Sequence, residues 1–141
     1  MSTLTTYKIN ILELGDTIGE KLKYYRLKNN LTQDKLAEII GYYAGSCIKD
    51  VELNRKLPRR NFSKKLASYF NLNTKYFFDN YLEDTDNIKD LLKNYRKKYN
   101  LSIKQASNKF SISQTAWTNW ESGGKYPIRD TYELLKKHKV L

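Results

Sequence analysis

The chain carries the sequence Ile18-Gly-Glu-Lys-Leu-Lys-Tyr-Tyr-Arg-Leu-Lys-Asn-Asn-Leu-Thr, and 70 residues later it carries the related sequence Ile88-Lys-Asp-Leu-Leu-Lys-Asn-Tyr-Arg-Lys-Lys-Tyr-Asn-Leu-Ser. Further along, the offset becomes 69, because Val51-Glu52 aligns with Trp120-Glu121. The first copy therefore has one extra residue, which we assign to the segment Gly41-Tyr-Tyr-Ala-Gly. A repeat at a fixed period is typical of one structural unit made twice.

The first copy has the pattern of short helices. Ile18, Leu22 and Tyr25 recur at spacings of four and three, which predicts a helix with one apolar stripe. Thr32 can cap the next helix, and Gly41 is suited to the turn that follows it. Before this copy, residues 1–14 have alternating apolar residues and are interpreted as an arm or a short strand.

Three further helices are predicted in the first copy. In the third helix of the copy, Ile48 and Val51 face inward, and Pro58 then interrupts the chain. A fourth helix follows, and Thr74 is placed to cap a fifth that ends near Phe78.

The second copy follows the same order with clearer capping signals. Ser102 and Gln105 have the spacing of a capping box, and Ser113 can cap the third helix of this copy. Trp117 and Trp120 occupy the positions of Ile48 and Val51, so we expect core residues rather than a stacking surface. The last predicted helix passes through residues 134–135, and no fifth helix is expected.

These patterns predict an all-α protein made of two tandem units, the second of which lacks the fifth helix. We expect an N-terminal arm at residues 1–16, a first domain at 17–82, a linker at 83–87 and a second domain at 88–141.

Both copies resemble the phage Cro/repressor-like (xenobiotic-response-element, XRE) helix-turn-helix family. The first copy shows Leu31-Thr-Gln-Asp-Lys-Leu-Ala, then Gly41, Ile48 and Val51-Glu52. The second shows Leu101-Ser, Ala106 and Ser113-Gln-Thr-Ala-Trp-Thr-Asn-Trp-Glu-Ser-Gly. The resemblance implies two lambda-repressor-like units that place a recognition helix in the major groove of double-stranded DNA.

The resemblance also implies a buried ion pair between the first helix and the end of the recognition helix. Arg26 with Glu52, and Arg96 with Glu121, occupy these positions. The planar arginine group can meet a carboxylate through two hydrogen bonds. These residues are expected to be structural.

Base contacts in this family come from the start of the recognition helix and from one turn later. The resemblance assigns them to Gln114, Thr115 and Asn119 in the second copy, and to Ser46 and Asp50 in the first. Glutamine and asparagine suit adenine, and threonine suits a thymine methyl group. The first copy departs from a good base-contacting set, because Gly45 has no side chain and an acidic side chain near phosphates is repelled. Asp50 can still accept a hydrogen bond from cytosine N4.

Phosphate contacts are expected from polar and basic residues around each recognition helix. In the first copy they are Gln33, Arg55, Lys56, Arg59 and Arg60. In the second copy Ile103 replaces the family's glutamine, and the candidates are Lys104, Ser122, Lys125 and Arg129.

The net charge of +11 agrees with a polyanionic partner. The excess is uneven, at +4 in residues 1–84 and +7 in residues 85–141. The single cysteine excludes an internal disulfide and a cysteine-based zinc cluster. No apolar run has membrane-spanning length and no signal peptide is recognisable, so we expect a cytoplasmic protein without a membrane partner.

Three classes of function were compared. The leading hypothesis is a sequence-specific DNA-binding transcriptional regulator of phage or mobile-element type, acting as a repressor without a cofactor. The alternative is a helix-turn-helix-derived protein-interaction module, an antitoxin or nuclease inhibitor, whose first copy binds a protein partner; a homodimer is also left open. An enzyme is not expected, because one histidine, one cysteine and no clustered carboxylates offer no triad, metal site or phosphate loop.

Overall fold

The computed structural model describes residues 12–141 and shows two compact units that divide between Asp79 and Asn80. Every regular element among the described residues is a helix, which confirms the all-α prediction. The predicted N-terminal arm falls largely on residues 1–11, outside the described part, and residues 12–16 form neither helix nor strand. No helix in residues 12–141 has the length and apolar character needed to cross a bilayer.

Residues 12–79, the described part of the first unit, contain four helices: α1 (Ile18–Lys28), α2 (Gln33–Ile39), α3 (Ser46–Glu52) and α4 (Arg60–Tyr69). Helix α2 begins where predicted, because the Thr32 hydroxyl accepts a hydrogen bond from the Lys35 amide at 3.0 Å. Helix α3 packs against both α1 and α2. Within the described part of this unit, the core contains the buried side chains Leu22, Leu36, Ala37, Ile40, Ile48, Val51, Phe62, Leu66, Ala67 and Phe77.

The fifth helix predicted at the end of the first unit is instead a turn over residues 74–77. Its backbone bonds join Tyr76 N to Asn73 O at 2.8 Å and Phe78 N to Lys75 O at 2.9 Å, three residues apart. The aromatic residues there serve the core without a helix. Phe77 is fully buried, and the Tyr76 ring packs edge-on against Tyr25 of α1.

The second unit contains five helices: α5 (Asn80–Thr85), α6 (Ile88–Tyr99), α7 (Ile103–Lys109), α8 (Gln114–Ser122) and α9 (Arg129–Lys137). The capping box at Ser102 and Gln105 and the cap at Ser113 are both present, as predicted. Trp117 and Trp120 are buried, so the core assignment is confirmed.

Helix α5 was not expected as part of the second unit, because residues 83–87 are polar and acidic and suggested a linker. It packs against α9 through an edge-to-face contact between the Tyr81 and Tyr132 rings and through hydrogen bonds. The Tyr81 hydroxyl donates to the Pro127 carbonyl at 2.5 Å, and the Tyr132 hydroxyl donates to the Asp84 carboxylate at 2.7 Å. A search for apolar periodicity misses such a contact, because hydroxyl and carboxylate groups make it.

The two units have the same internal details at equivalent positions. In each, α1–α4 or α6–α9 follow in the same order, and the backbone φ is positive at three equivalent positions in the turns between them. These positions are Asn30 and Asn100, Gly41 and Ser111, and Asn54 and Gly123. A positive φ therefore recurs at equivalent turn positions of the two units even where the residue changes.

Candidate nucleic-acid interface

Helices α2 and α3 form the helix-turn-helix of the first unit, with α3 in the position of a recognition helix. Ile48 and Val51 are buried in the core. The opposite face of α3 presents Ser46 and Lys49 to solvent, and Asp50 is half-buried at its edge.

Gly45 explains why the first recognition helix begins without a side chain for base contact. A Cβ atom at this position would lie 2.7 Å from the Asp34 amide nitrogen and 2.8 Å from the Gln33 carbonyl carbon. The Gly45 amide also donates to the Asp34 carboxylate at 2.9 Å. The start of α3 is thus drawn tightly against the start of α2, and only glycine fits there.

Asp50, assigned to base contact, contacts two of the predicted phosphate-binding side chains. Its carboxylate lies 3.5 Å from Lys56 Nζ and 3.8 Å from Arg55 Nη1. The Asp50 carbonyl also accepts from the Arg55 amide at 2.8 Å. The acidic group therefore holds the basic loop that follows α3.

Arg26 and Glu52 form a buried, two-pronged ion pair in the first unit. Arg26 Nε and Nη2 lie 2.6 and 2.9 Å from the two carboxylate oxygens. Arg26 Nη1 donates to the Leu31 carbonyl at 2.7 Å. The side-chain amide of Gln33 donates to Glu52 at 3.2 Å, so this predicted phosphate contact is half-buried and partly engaged within the protein.

Helices α7 and α8 form the corresponding pair in the second unit, and the solvent face of α8 carries uncharged polar side chains. Gln114, Thr115 and Thr118 are exposed, and Asn119 is half-buried beside them. Among residues 12–141 these four side chains have no hydrogen-bond partner. Their polar groups are available to an external ligand.

Arg96 and Glu121 form the corresponding ion pair, with hydrogen bonds of 2.7 and 2.8 Å. The third donor differs, because the Trp117 indole N–H takes the place of Gln33 and donates to Glu121. Burial raises the pKa of Glu121, but the hydrogen bonds from Arg96 and Trp117 outweigh it and leave the pKa below its ordinary value. The hydrogen bond to Glu121 raises the pKa of Arg96.

Several predicted phosphate-binding side chains are exposed on both units. Arg55, Lys56 and Arg59 lie on the loop after α3, Lys104 lies in the first turn of α7, and Lys125 lies on the loop after α8. Ser122 is exposed as well, and its hydroxyl donates to the Asn119 carbonyl at 2.9 Å.

Two other predicted phosphate contacts are stacked on aromatic rings of their own unit. The Arg60 guanidinium lies 5.6 Å from the Phe78 ring centre, and that of Arg129 lies 4.4 Å from the Tyr81 ring centre. Such stacking is a favourable cation–π arrangement that orders the arginine side chain. A phosphate contact by either residue would have to use the edge of an already stacked group.

The comparisons with known proteins concern the first unit. Residues 19–83 match the family model described as a helix-turn-helix domain. The match spans α1 to α4 and the first residues of α5. The comparisons with curated proteins and with solved structures give no match. The helix-turn-helix domain indicates a DNA-binding protein.

Sequence reasoning missed two exposed residues on the recognition helices, Lys49 and Thr118, and one hydrogen-bond donor to Glu121. Lys49 lies three residues after Ser46, and Thr118 lies three residues after Thr115, so helical spacing alone would have placed both on the same face. The donor is the indole N–H of Trp117, which was assigned only to the core. The replacement of Gln33 by an apolar residue in the second copy was the available signal that Glu121 needed another donor.

Proposed function

We propose that the chain is a sequence-specific double-stranded DNA-binding transcriptional regulator of the XRE type with two tandem helix-turn-helix units. The polar face of α8 is the observation that carries this proposal. Its four side chains have unused donors and acceptors, and the core residues Trp117 and Trp120 hold the helix in place.

The residue types on α8 match the chemistry of base edges. Gln114 and Asn119 can each bond adenine N6 and N7 through two hydrogen bonds, and Thr115 can contact a thymine methyl group. Each such bidentate contact discriminates by about 1–3 kcal/mol against a wrong base. We therefore assign the main base recognition to the second unit.

The first unit contributes mainly to affinity in this proposal. Its recognition helix begins at a glycine, and its acidic residue Asp50 is occupied by Arg55 and Lys56. The basic loop can neutralise phosphates, and each phosphate neutralised adds about 0.9 to the slope of log K against log salt. Ser46 and Asp50 remain as base contacts of secondary weight.

The biological action that fits is repression of a phage or mobile-element promoter by occlusion of polymerase, with no cofactor and no enzymatic step. Two units on one chain could occupy two half-sites spaced about 34 Å apart, one helical turn of DNA. The other arrangement is a homodimer in which each chain uses its second unit.

The test is selection of binding sites from a random duplex pool at about 150 mM salt, where non-specific binding is weak. A recovered motif supports the proposal, and the length of the motif distinguishes one recognition helix from two. Salt-sensitive binding with no motif would refute sequence-specific regulation.

Two substitutions in the second unit form a matched pair for this test. Gln114→Ala is expected to relax the motif at one base position, at a cost of about 1–3 kcal/mol for the preferred sequence. Lys125→Ala is expected to weaken all sequences equally and to lower the salt slope by about one. Equal effects of the two changes on every sequence would contradict base readout by Gln114.

A protein-interaction role for the first unit is the second candidate, and a difference between the units favours it. Tyr43, Leu53 and Leu57 around α3 are exposed apolar side chains. Position 122, equivalent to Leu53, is a serine. Exposed apolar side chains beside a recognition helix suit a protein partner such as a toxin, a nuclease or a second copy of the chain.

This candidate predicts that Leu53→Ser and Asp50→Ala preserve DNA binding. Leu53→Ser should abolish any self-association seen by sedimentation if the partner is a second copy. Loss of DNA affinity in Asp50→Ala would rule out a first unit that binds a protein partner and leaves DNA binding to the second unit.

A further inference from the structure

A pocket of about 250 Å³ lies between α3, α4 and the loop that joins them. Its apolar walls include two aromatic rings, Tyr42 and Phe62, which meet edge to face with centres 4.9 Å apart. Val51, Leu57 and Pro58 also belong to this apolar part. None of these residues has a part in the DNA contacts proposed above.

The size of the pocket suits a single ring with a short substituent. A cavity of about 150 Å³ is sufficient to hold benzene in another protein, and drug-sized ligands occupy about 300–1,000 Å³. A volume of 250 Å³ falls between these values. The pocket is also partly open, so a polar substituent can remain near solvent.

The charged groups at the pocket favour an anion. Lys56 and Arg59 both line it, and Asp50 supplies the one carboxylate among the lining residues. Lys56 Nζ is 3.5 Å from Asp50, whereas Arg59 is exposed and has no ion-pair partner among residues 12–141. An arginine group beside an apolar wall can bind a carboxylate through two parallel hydrogen bonds.

We propose that this pocket binds a small apolar carboxylate, an aromatic acid or an aliphatic acid of similar size, with its apolar part against the wall formed by Tyr42 and Phe62 and its carboxylate at Arg59 and Lys56. The binding itself does not depend on the function proposed above. A regulatory effect of that binding does rest on the proposed function, because Arg59 and Lys56 are the two cations assigned to DNA phosphates in it. A carboxylate that occupies them would weaken DNA binding, and DNA would weaken carboxylate binding by the same factor.

Cys47 makes the pocket measurable in the intact chain without DNA. It is the only cysteine, lines the pocket, and is half-buried with its thiol donating to the Ala44 carbonyl at 2.9 Å. The rate of its alkylation by iodoacetamide, a neutral reagent, reports whether the pocket is occupied. Benzoate is the probe, and benzylamine is a control with the same ring and the opposite charge.

We expect benzoate to slow alkylation of Cys47 in a saturable manner at about 1–10 mM, the range for a weak, ring-sized ligand. Benzylamine should have no such effect. Amide chemical shifts measured in the same titration should change around residues 42–62 and not in the second unit.

A pair of charge-removing variants tests the carboxylate site. Arg59→Gln should weaken benzoate about tenfold, since a hydrogen bond to a charged group is lost. Lys49→Gln, on the solvent face of α3 and outside the pocket, removes the same charge and should leave benzoate affinity unchanged. Each of three results would overturn the proposal: no saturable protection by benzoate, equal protection by benzylamine, or equal weakening in the two variants. None of these measurements uses DNA, so failure of the DNA-binding proposal would not affect them.

Discussion

Replacing Glu52 by alanine is expected to destabilise the first unit severely, because the change strands a buried arginine. Glu52 receives two hydrogen bonds from Arg26, at 2.6 and 2.9 Å, and one from Gln33 at 3.2 Å. After the substitution Arg26 retains only its bond to the Leu31 carbonyl. Removing one partner of a buried ion pair costs about 3–5 kcal/mol.

The size of this loss can be compared with the stability of the unit. The described part of the first unit, residues 12–79, has about 70 residues and is stable by about 4–10 kcal/mol at 0.05–0.15 kcal/mol per residue. The substitution would therefore remove between a third and all of the stability. In urea, with m near 1.5 kcal/mol/M, the midpoint should fall by about 2–3 M.

Glu121→Ala is the matched change in the second unit, and we expect it to cost less. The side chain of Arg96 is 25% exposed, compared with 9% for Arg26, so water can solvate the stranded guanidinium more easily. We expect about 2–3 kcal/mol, between the values for exposed and buried pairs.

The assay is urea unfolding followed in parallel by circular dichroism and by tryptophan fluorescence. Both tryptophans lie in the second unit, so fluorescence reports that unit and circular dichroism reports both. Glu52→Ala should lower the circular-dichroism midpoint, and Glu121→Ala should lower the fluorescence midpoint by less. A cost below about 1 kcal/mol for Glu52→Ala, or a larger cost for Glu121→Ala, would refute the reasoning from burial.

Three further predictions follow from the same two units. Because the pKa of Glu121 is lowered in the folded state, its ionised carboxylate stabilises the second unit above the ordinary glutamate pKa, and this stabilisation is lost as the pH falls through the folded pKa. Acid unfolding followed by fluorescence should show this loss of stability. Glu121→Gln should remove that pH dependence. Gly45→Ala should cost about 1–3 kcal/mol in thermal unfolding, because the new Cβ meets the Asp34 amide at 2.7 Å, whereas Ser46→Ala at the next, exposed position should change stability little. Trp117→Phe keeps the ring in the core but removes the donor to Glu121 and should cost about 1–3 kcal/mol in urea; an unchanged midpoint would show that the indole bond contributes nothing.

Much of the fold could be predicted from the sequence because the repeat is local and periodic. The spacing of Leu22, Ile48 and Val51 defines buried helix faces, and the caps at Thr32 and Ser102 mark helix starts with named side chains. These signals act within a few residues along the chain, so no knowledge of the tertiary structure is needed to recognise them.

The parts that could not be predicted depend on contacts between distant residues. The bond from Tyr132 to Asp84 joins positions 48 apart, and nothing in the local pattern of either residue indicates it. The ion pairs of Asp50 likewise depend on how the chain turns after α3, which the residue types of the loop do not specify. Polar side chains have several equally good partners, whereas an apolar stripe has one direction in which to be buried.

Because of helix α5, the repeat in the sequence and the compact unit in the structure have different boundaries in this chain. The repeat in the sequence starts at Ile88, but the compact unit starts at Asn80, and the match to the family model ends at residue 83, inside α5. A duplication or exchange of the second unit with its breakpoint at the repeat would therefore leave α9 without Tyr81 and Asp84. The compact unit therefore begins eight residues before the sequence repeat. A domain exchange with its junction after Asp79 would transfer a complete unit.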